Sequence, residues 1–66
     1  MTIRLNGEPY ELTGPVTLGA LLASLDIDPR RVAVEHNLTV VKRDALDSTT
    51  VSESDEVEIV NFVGGG

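Results

Sequence analysis

Apolar and polar residues alternate from the start of the chain: Ile3 and Leu5 against Thr2 and Arg4, then Tyr10 and Leu12 against Glu11 and Thr13. A period of two marks a strand with one buried face. Between the two runs lies Asn6-Gly7, a dipeptide that supplies positive φ at both centres of a tight turn. The pattern predicts an antiparallel hairpin with one apolar face. After Gly14-Pro15 the period changes. Leu18, Leu21, Leu22 and Leu25 fall at i, i+3, i+4 and i+7, one stripe of a helix. Thr17 stands where a side-chain oxygen can accept from the helix's first free N–H groups. Ala20, Ala23 and Ser24 lie off the stripe, Gly19 weakens the helix slightly, and Asp26-Ile27-Asp28-Pro29 ends it.

Strand character returns in "RRVAVEHN", with Val32 and Val34 on one face, and again around Val40 and Val41 in "LTVVKRDAL", which runs into a turn. "DSTTVSESDE" reads as a polar loop from which Val51 reaches toward the core. In "EVEIVNFV", Val57 and Ile59 alternate with Glu56 and Glu58, and after Val60 the apolar phase shifts to Phe62. A single leucine-striped helix cannot bury itself and must lie across a sheet. A right-handed connection from hairpin to helix to a parallel strand then gives a mixed sheet of about four to five strands wrapped on one main helix. This is an α+β fold in the β-grasp arrangement, read as one domain over residues 1–66, with residues 63–66 as a flexible tail.

Composition narrows what such a chain can do. At 66 residues it leaves little room for an internal catalytic cavity. Aromatics are limited to Tyr10 and Phe62, so the core is aliphatic. The count of 0 cysteines excludes disulfides, thiolate metal sites and a cysteine nucleophile, and fits a reducing compartment. No signal peptide is evident at the N-terminus, and no apolar run approaches the roughly 20 residues that span a bilayer. A cytoplasmic protein that avoids membranes is expected. The net charge of −6 has the wrong sign for nucleic acid; it favours solubility or steers association with a basic partner.

Few side chains form a chemical constellation. Asn37-Leu38-Thr39 matches an N-glycosylation pattern by chance. His36 is the only histidine; with no second histidine or cysteine beside it, it reads as a surface strand residue rather than a metal ligand. Asp44, Asp47, Glu53, Asp55, Glu56 and Glu58 lack calcium-loop spacing and read as a solvated acidic face. No glycine-rich loop links a strand to a helix to cradle phosphate. The chain is therefore expected to bind no cofactor or metal and to serve as a substrate or carrier rather than an enzyme. What remains is the end, Gly64-Gly65-Gly66, which holds half of the chain's glycines directly after its strongest strand. A glycine run threads a narrow channel without a Cβ to clash, so the end reads either as ordinary terminal fray or as a tail whose useful group is the terminal carboxylate.

"EVEIVNFVGGG", together with "VAVEHN", "KRDAL" and the opening Leu-Asn-Gly turn, resembles the thiamine-biosynthesis sulfur carrier proteins (ThiS), a ubiquitin-like β-grasp family, over essentially the whole chain. The family often has a glycine in the turn before its last strand, where this chain has Glu53-Ser54-Asp55-Glu56. The resemblance implies that the Gly66 carboxylate is adenylated by a ThiF-type adenylyltransferase that holds ATP and magnesium. A cysteine-derived persulfide then converts it to a thiocarboxylate, which donates sulfur to thiazole synthase for thiazole formation. It implies also that Gly64 and Gly65 thread the partner's channel. Phe62 and Val63 would anchor the tail's exit, unless Phe62 closes the core. The small subunit of molybdopterin synthase shares this chemistry but usually runs longer, with a proline-bearing approach absent here. Another sulfur carrier, a protein modifier, or a non-carrier interaction module are further alternatives.

Overall fold

The computed structural model describes residues 1–62 of the chain. Seven strands and one α-helix follow one another: β1 (Thr2–Leu5), β2 (Glu8–Glu11), β3 (Val16–Thr17), α1 (Leu18–Ser24), β4 (Val32–His36), β5 (Thr39–Val41), β6 (Thr50–Val51) and β7 (Glu56–Asn61). 3-10 turns at Pro29–Arg31 and Arg43–Ser48 complete the path. The five-stranded main sheet has the order β2-β1-β7-β4-β5, and β3 pairs with β6 in a separate two-stranded ladder. β1 and β7 are parallel; β7 runs antiparallel to β4, and β4 to β5.

The first hairpin forms as its sequence dictates. Leu5 opposes Glu8, leaving Asn6 and Gly7 as the turn, with φ values of 50° and 83°. Positive φ at both centres matches the turn's twist to that of the strands. Thr17 caps α1 by accepting from the Ala20 N–H at 3.1 Å. At the other end Asp26 takes φ 62°; its N–H bonds Ala23 O and the Ile27 N–H bonds Leu22 O. These two crossed bonds satisfy the last free carbonyls of the helix, and Ile27 folds back onto the core beyond them.

Leu18, Leu21 and Leu22 turn inward to meet Ile3, Val32, Val34 and Val57. Leu25, the last of the stripe, packs at the margin. The parallel pairing falls between β1 and β7 rather than beside the strand that follows the helix; β4 instead lines β7's other edge. Two further features complete the core. Val51, 0% exposed, reaches inward as its sequence suggests, but on a strand, β6, that fixes it against Val16. The expected turn after β5 is a 3-10 helix that buries Leu46. No helix among the described residues is long and apolar enough to cross a membrane.

Candidate functional site

β7 is the central strand of the main sheet, and the sequence around it is organised to hold it. Its inner residues Val57 and Ile59 face the core, and Glu56, Glu58 and Val60 alternate onto the outer face. Past Asn61, which opposes Val32, the Phe62 N–H donates to Arg31 O at 2.9 Å and extends the ladder by one bond. Phe62 itself is 64% exposed. It does not close the core: its alternation places it with the glutamates, on the face away from α1. The predicted site residues Val63, Gly64, Gly65 and Gly66 lie outside the described residues.

Two asparagines clamp β7 from opposite edges. Beyond the end of β1, Asn6 Oδ1 accepts from the Ile59 N–H at 2.7 Å and Asn6 Nδ2 donates to Ile59 O at 3.1 Å. The side-chain amide thus stands in for the next peptide unit of a strand that has already turned away. On the other edge the Asn37 N–H donates to Glu56 O at 2.8 Å, and Asn37 Oδ1 accepts from the Glu56 N–H at 2.9 Å. Both asparagines sit first in a hairpin turn at positive φ, a conformation asparagine tolerates better than most residues. Asn6 was legible as a turn residue and Asn37 only as a chance motif; no local pattern announces either as a clamp.

His36 is not a plain surface residue. Its Nε2 lies 2.7 Å from Asp55 Oδ2, and the two side chains are only 18% and 17% exposed. Asp55 Oδ2 also accepts from the Ser52 N–H at 2.8 Å, and its Oδ1 accepts from Asn37 Nδ2 at 3.2 Å. Burial, the largest single influence, opposes ionisation of Asp55, but the bonds from His36, Ser52 and Asn37 together hold its carboxyl below the usual value. This cluster closes the turn before β7. Ser54 adopts φ 71° without being glycine, and the Asp55 carboxylate ties the loop shut around it. Among the described residues no group of three or more His, Cys, Asp or Glu could hold a metal ion.

The outer face of the sheet combines apolar and acidic groups. Cross-strand pairs place Glu35 beside both Val40 and Glu58, and Ala33 beside Val60. Val40, Val60 and Phe62 are exposed, and Glu11, Glu35, Glu56 and Glu58 outnumber Arg4 among the strand residues of this face. The carboxylates expected to form a solvated acidic surface are therefore split. Asp55 is bound into a turn, Asp47 lies against Gly19 at the start of α1, and the glutamates of β7 border the exposed apolar residues.

The family model described as the ThiS family matches residues 3–66. A thiazole synthase of Magnetococcus marinus is 44% identical over 66 residues, which is 100% of this chain and 20% of that protein; the chain spans only that fifth of its length. The sulfur carrier protein ThiS of Bacillus subtilis is 34% identical over 67 residues, covering 97% of this chain and 98% of the relative. The crystal structure of a thiamine biosynthesis protein (ThiS) from Geobacter metallireducens superposes with a TM-score of 0.88 at 38% identity, covering 100% of both chains.

Proposed function

This chain belongs to the ThiS family of sulfur carriers in thiamine biosynthesis, and we propose that its own Gly66 carboxylate is the group that carries the sulfur. The reading rests on one observation above the rest: the family match runs through residue 66, in a chain with 0 cysteines. A chain without a thiol has no side chain on which a persulfide could ride.

The chemistry then follows from what a carboxylate lacks. It is a poor electrophile, and attack of its oxygen on the α-phosphorus of ATP, with loss of pyrophosphate, supplies AMP as a leaving group. A ThiF-type adenylyltransferase would perform this step, with magnesium in its own site neutralising the triphosphate. The terminal sulfur of a cysteine-derived persulfide attacks the acyl carbon and expels AMP. A thiol then cleaves the acyl disulfide and leaves the thiocarboxylate, ionised and nucleophilic at neutral pH. The similarity to a thiazole synthase of Magnetococcus marinus supports a thiazole synthase as the acceptor.

In this reading the chain acts as a protein cosubstrate. Gly64 and Gly65 enter the adenylating site, Phe62 and Val63 mark the approach, and the apolar and acidic outer face docks on the partner. The test is intact mass after incubation with an adenylating partner, ATP and a persulfide donor, followed by a thiol-selective alkylating reagent. A single alkylation that fragmentation places on Gly66 supports the carrier. No alkylation, with a partner shown to activate a known carrier, refutes it in favour of an interaction module.

A further inference from the structure

Leu38 occupies a position that leucine disfavours twice. It is the second residue of the β4–β5 turn, between His36 and Thr39, and takes φ 72°. There a Cβ crowds the neighbouring carbonyl, and glycine is the residue such turns select. It is also 84% exposed, more than any other large apolar residue described. Glycine at this place would remove both the strain and the exposed apolar surface. Strained backbone held in place by its surroundings is a feature of ligand clamps and binding sites.

The surroundings here are firm. Asn37, immediately before Leu38, is bonded to Glu56 through its backbone N–H and its side-chain oxygen and to Asp55 through its side-chain nitrogen. His36 is tied to the same Asp55 carboxylate. The turn therefore presents Leu38 on a fixed mount, which reduces the ordering that binding would otherwise require. Val40, two residues further on, is also exposed. Glu35 opposes it across the hairpin and Glu58 opposes Glu35 on β7, so acidic groups flank this end of the sheet.

Taking the carrier reading above as its footing, we propose that Leu38 is a docking anchor that inserts into an apolar pocket, rimmed by lysine or arginine, on the ATP-dependent adenylating partner. The hairpin tip lies beside Val57, at the end of β7 away from Phe62. Leu38 thus contributes to holding the body of the carrier while the reaction proceeds elsewhere, and its contact is the same in ground and transition states.

The experiment compares wild type, Leu38→Gly and Leu38→Met as full chains. It reads the thermal midpoint of each alone, affinity for the adenylating partner without ATP, and pyrophosphate release with ATP. Leu38→Gly should melt a few degrees higher, because strain and exposed apolar surface are both removed. Its Kd and KM should rise about tenfold, the loss of one buried leucine side chain, with kcat unchanged because uniform binding alone is lost. Leu38→Met should keep wild-type affinity and gain no stability. Wild-type turnover with an unchanged KM in Leu38→Gly overturns the anchor and leaves the carrier intact. A lower melting midpoint for Leu38→Gly overturns the strain argument. Absence of wild-type adenylation overturns the carrier reading, and the anchor with it.

Discussion

Replacing Asn6 by glycine isolates the clamp on β7. Asn6 sits at φ 50°, which glycine adopts without penalty, so the turn itself is preserved. The bond from the Asn6 N–H to Val57 O is a backbone bond and survives. Lost are the two side-chain bonds to Ile59, at 2.7 and 3.1 Å. Each contributes about 1 kcal/mol net, and glycine's greater freedom in the unfolded chain adds about 0.5–1 kcal/mol. Water can hydrate the freed Ile59 groups, which are not deeply buried, so no further desolvation penalty applies. The total of about 2–3 kcal/mol corresponds to a drop of about 10–20 °C in the melting midpoint of a domain this small. Urea titration with an unchanged m-value would assign the loss to stability, and amide hydrogen exchange would localise it at Ile59. Asn6→Asp supplies the control: it keeps the acceptor but loses the donor, and should recover part of the difference once acid protonates the new carboxyl. A midpoint within about 2 °C of wild type, where about 10 °C is expected, with Ile59 still protected, would refute the clamp.

Further outcomes follow from other groups. The Asp55 carboxyl titrates below its ordinary 3.8 in the folded protein, so its contribution is fully present above that pH and is lost as pH falls through the lower folded value. Asp55→Asn should therefore flatten the acid limb of a urea-midpoint profile; an unchanged acid limb would remove Asp55 from the account. Gly19→Ala should fail to deliver the roughly 1 kcal/mol that alanine normally adds to a helix, because the new Cβ meets the Asp47 carboxylate. Gly19→Ala with Asp47→Ala should recover it, and additive single effects would rule out the conflict. Gly65→Ala should slow adenylation while leaving the melting midpoint in place, whereas equal kinetics would count against channel threading. Association with the adenylating partner should slow as salt rises over the range where the Debye length shrinks below about 8–10 Å; a salt-independent on-rate would return the −6 charge to solubility alone.

Much of the body was legible because its elements are locally consistent. Asn6-Gly7, the Leu18–Leu25 stripe, Thr17 and the alternation in β7 each specify the structure they adopt. β3 and β6 were not legible, since two-residue strands are shorter than any period. Their pairing is imposed by packing of Val16 and Val51 around α1. The 3-10 helix that buries Leu46 was hidden in a charged stretch, where one leucine gives no pattern. The phase shift after Val60 points to an exposed Phe62, which the structure shows. Hydrophobicity alone leaves core closure open as an alternative, because it does not say on which side of a central strand a residue lies. At the candidate site the amide clamps leave no mark in the sequence: an asparagine at a turn looks the same whether or not its side chain reaches a strand more than fifty positions away.

The placement of β7 also has a mechanical meaning. Its neighbours are the parallel β1 and the antiparallel β4, so tension along the strand from the Phe62 end pulls across both ladders at once. Those bonds, together with the Asn6 and Asn37 clamps, are loaded sideways and in concert rather than opened one after another like a zipper. An enzyme that grips the end of this chain and draws it inward therefore acts on a handle fixed along its length, and the body should arrive at that enzyme still folded.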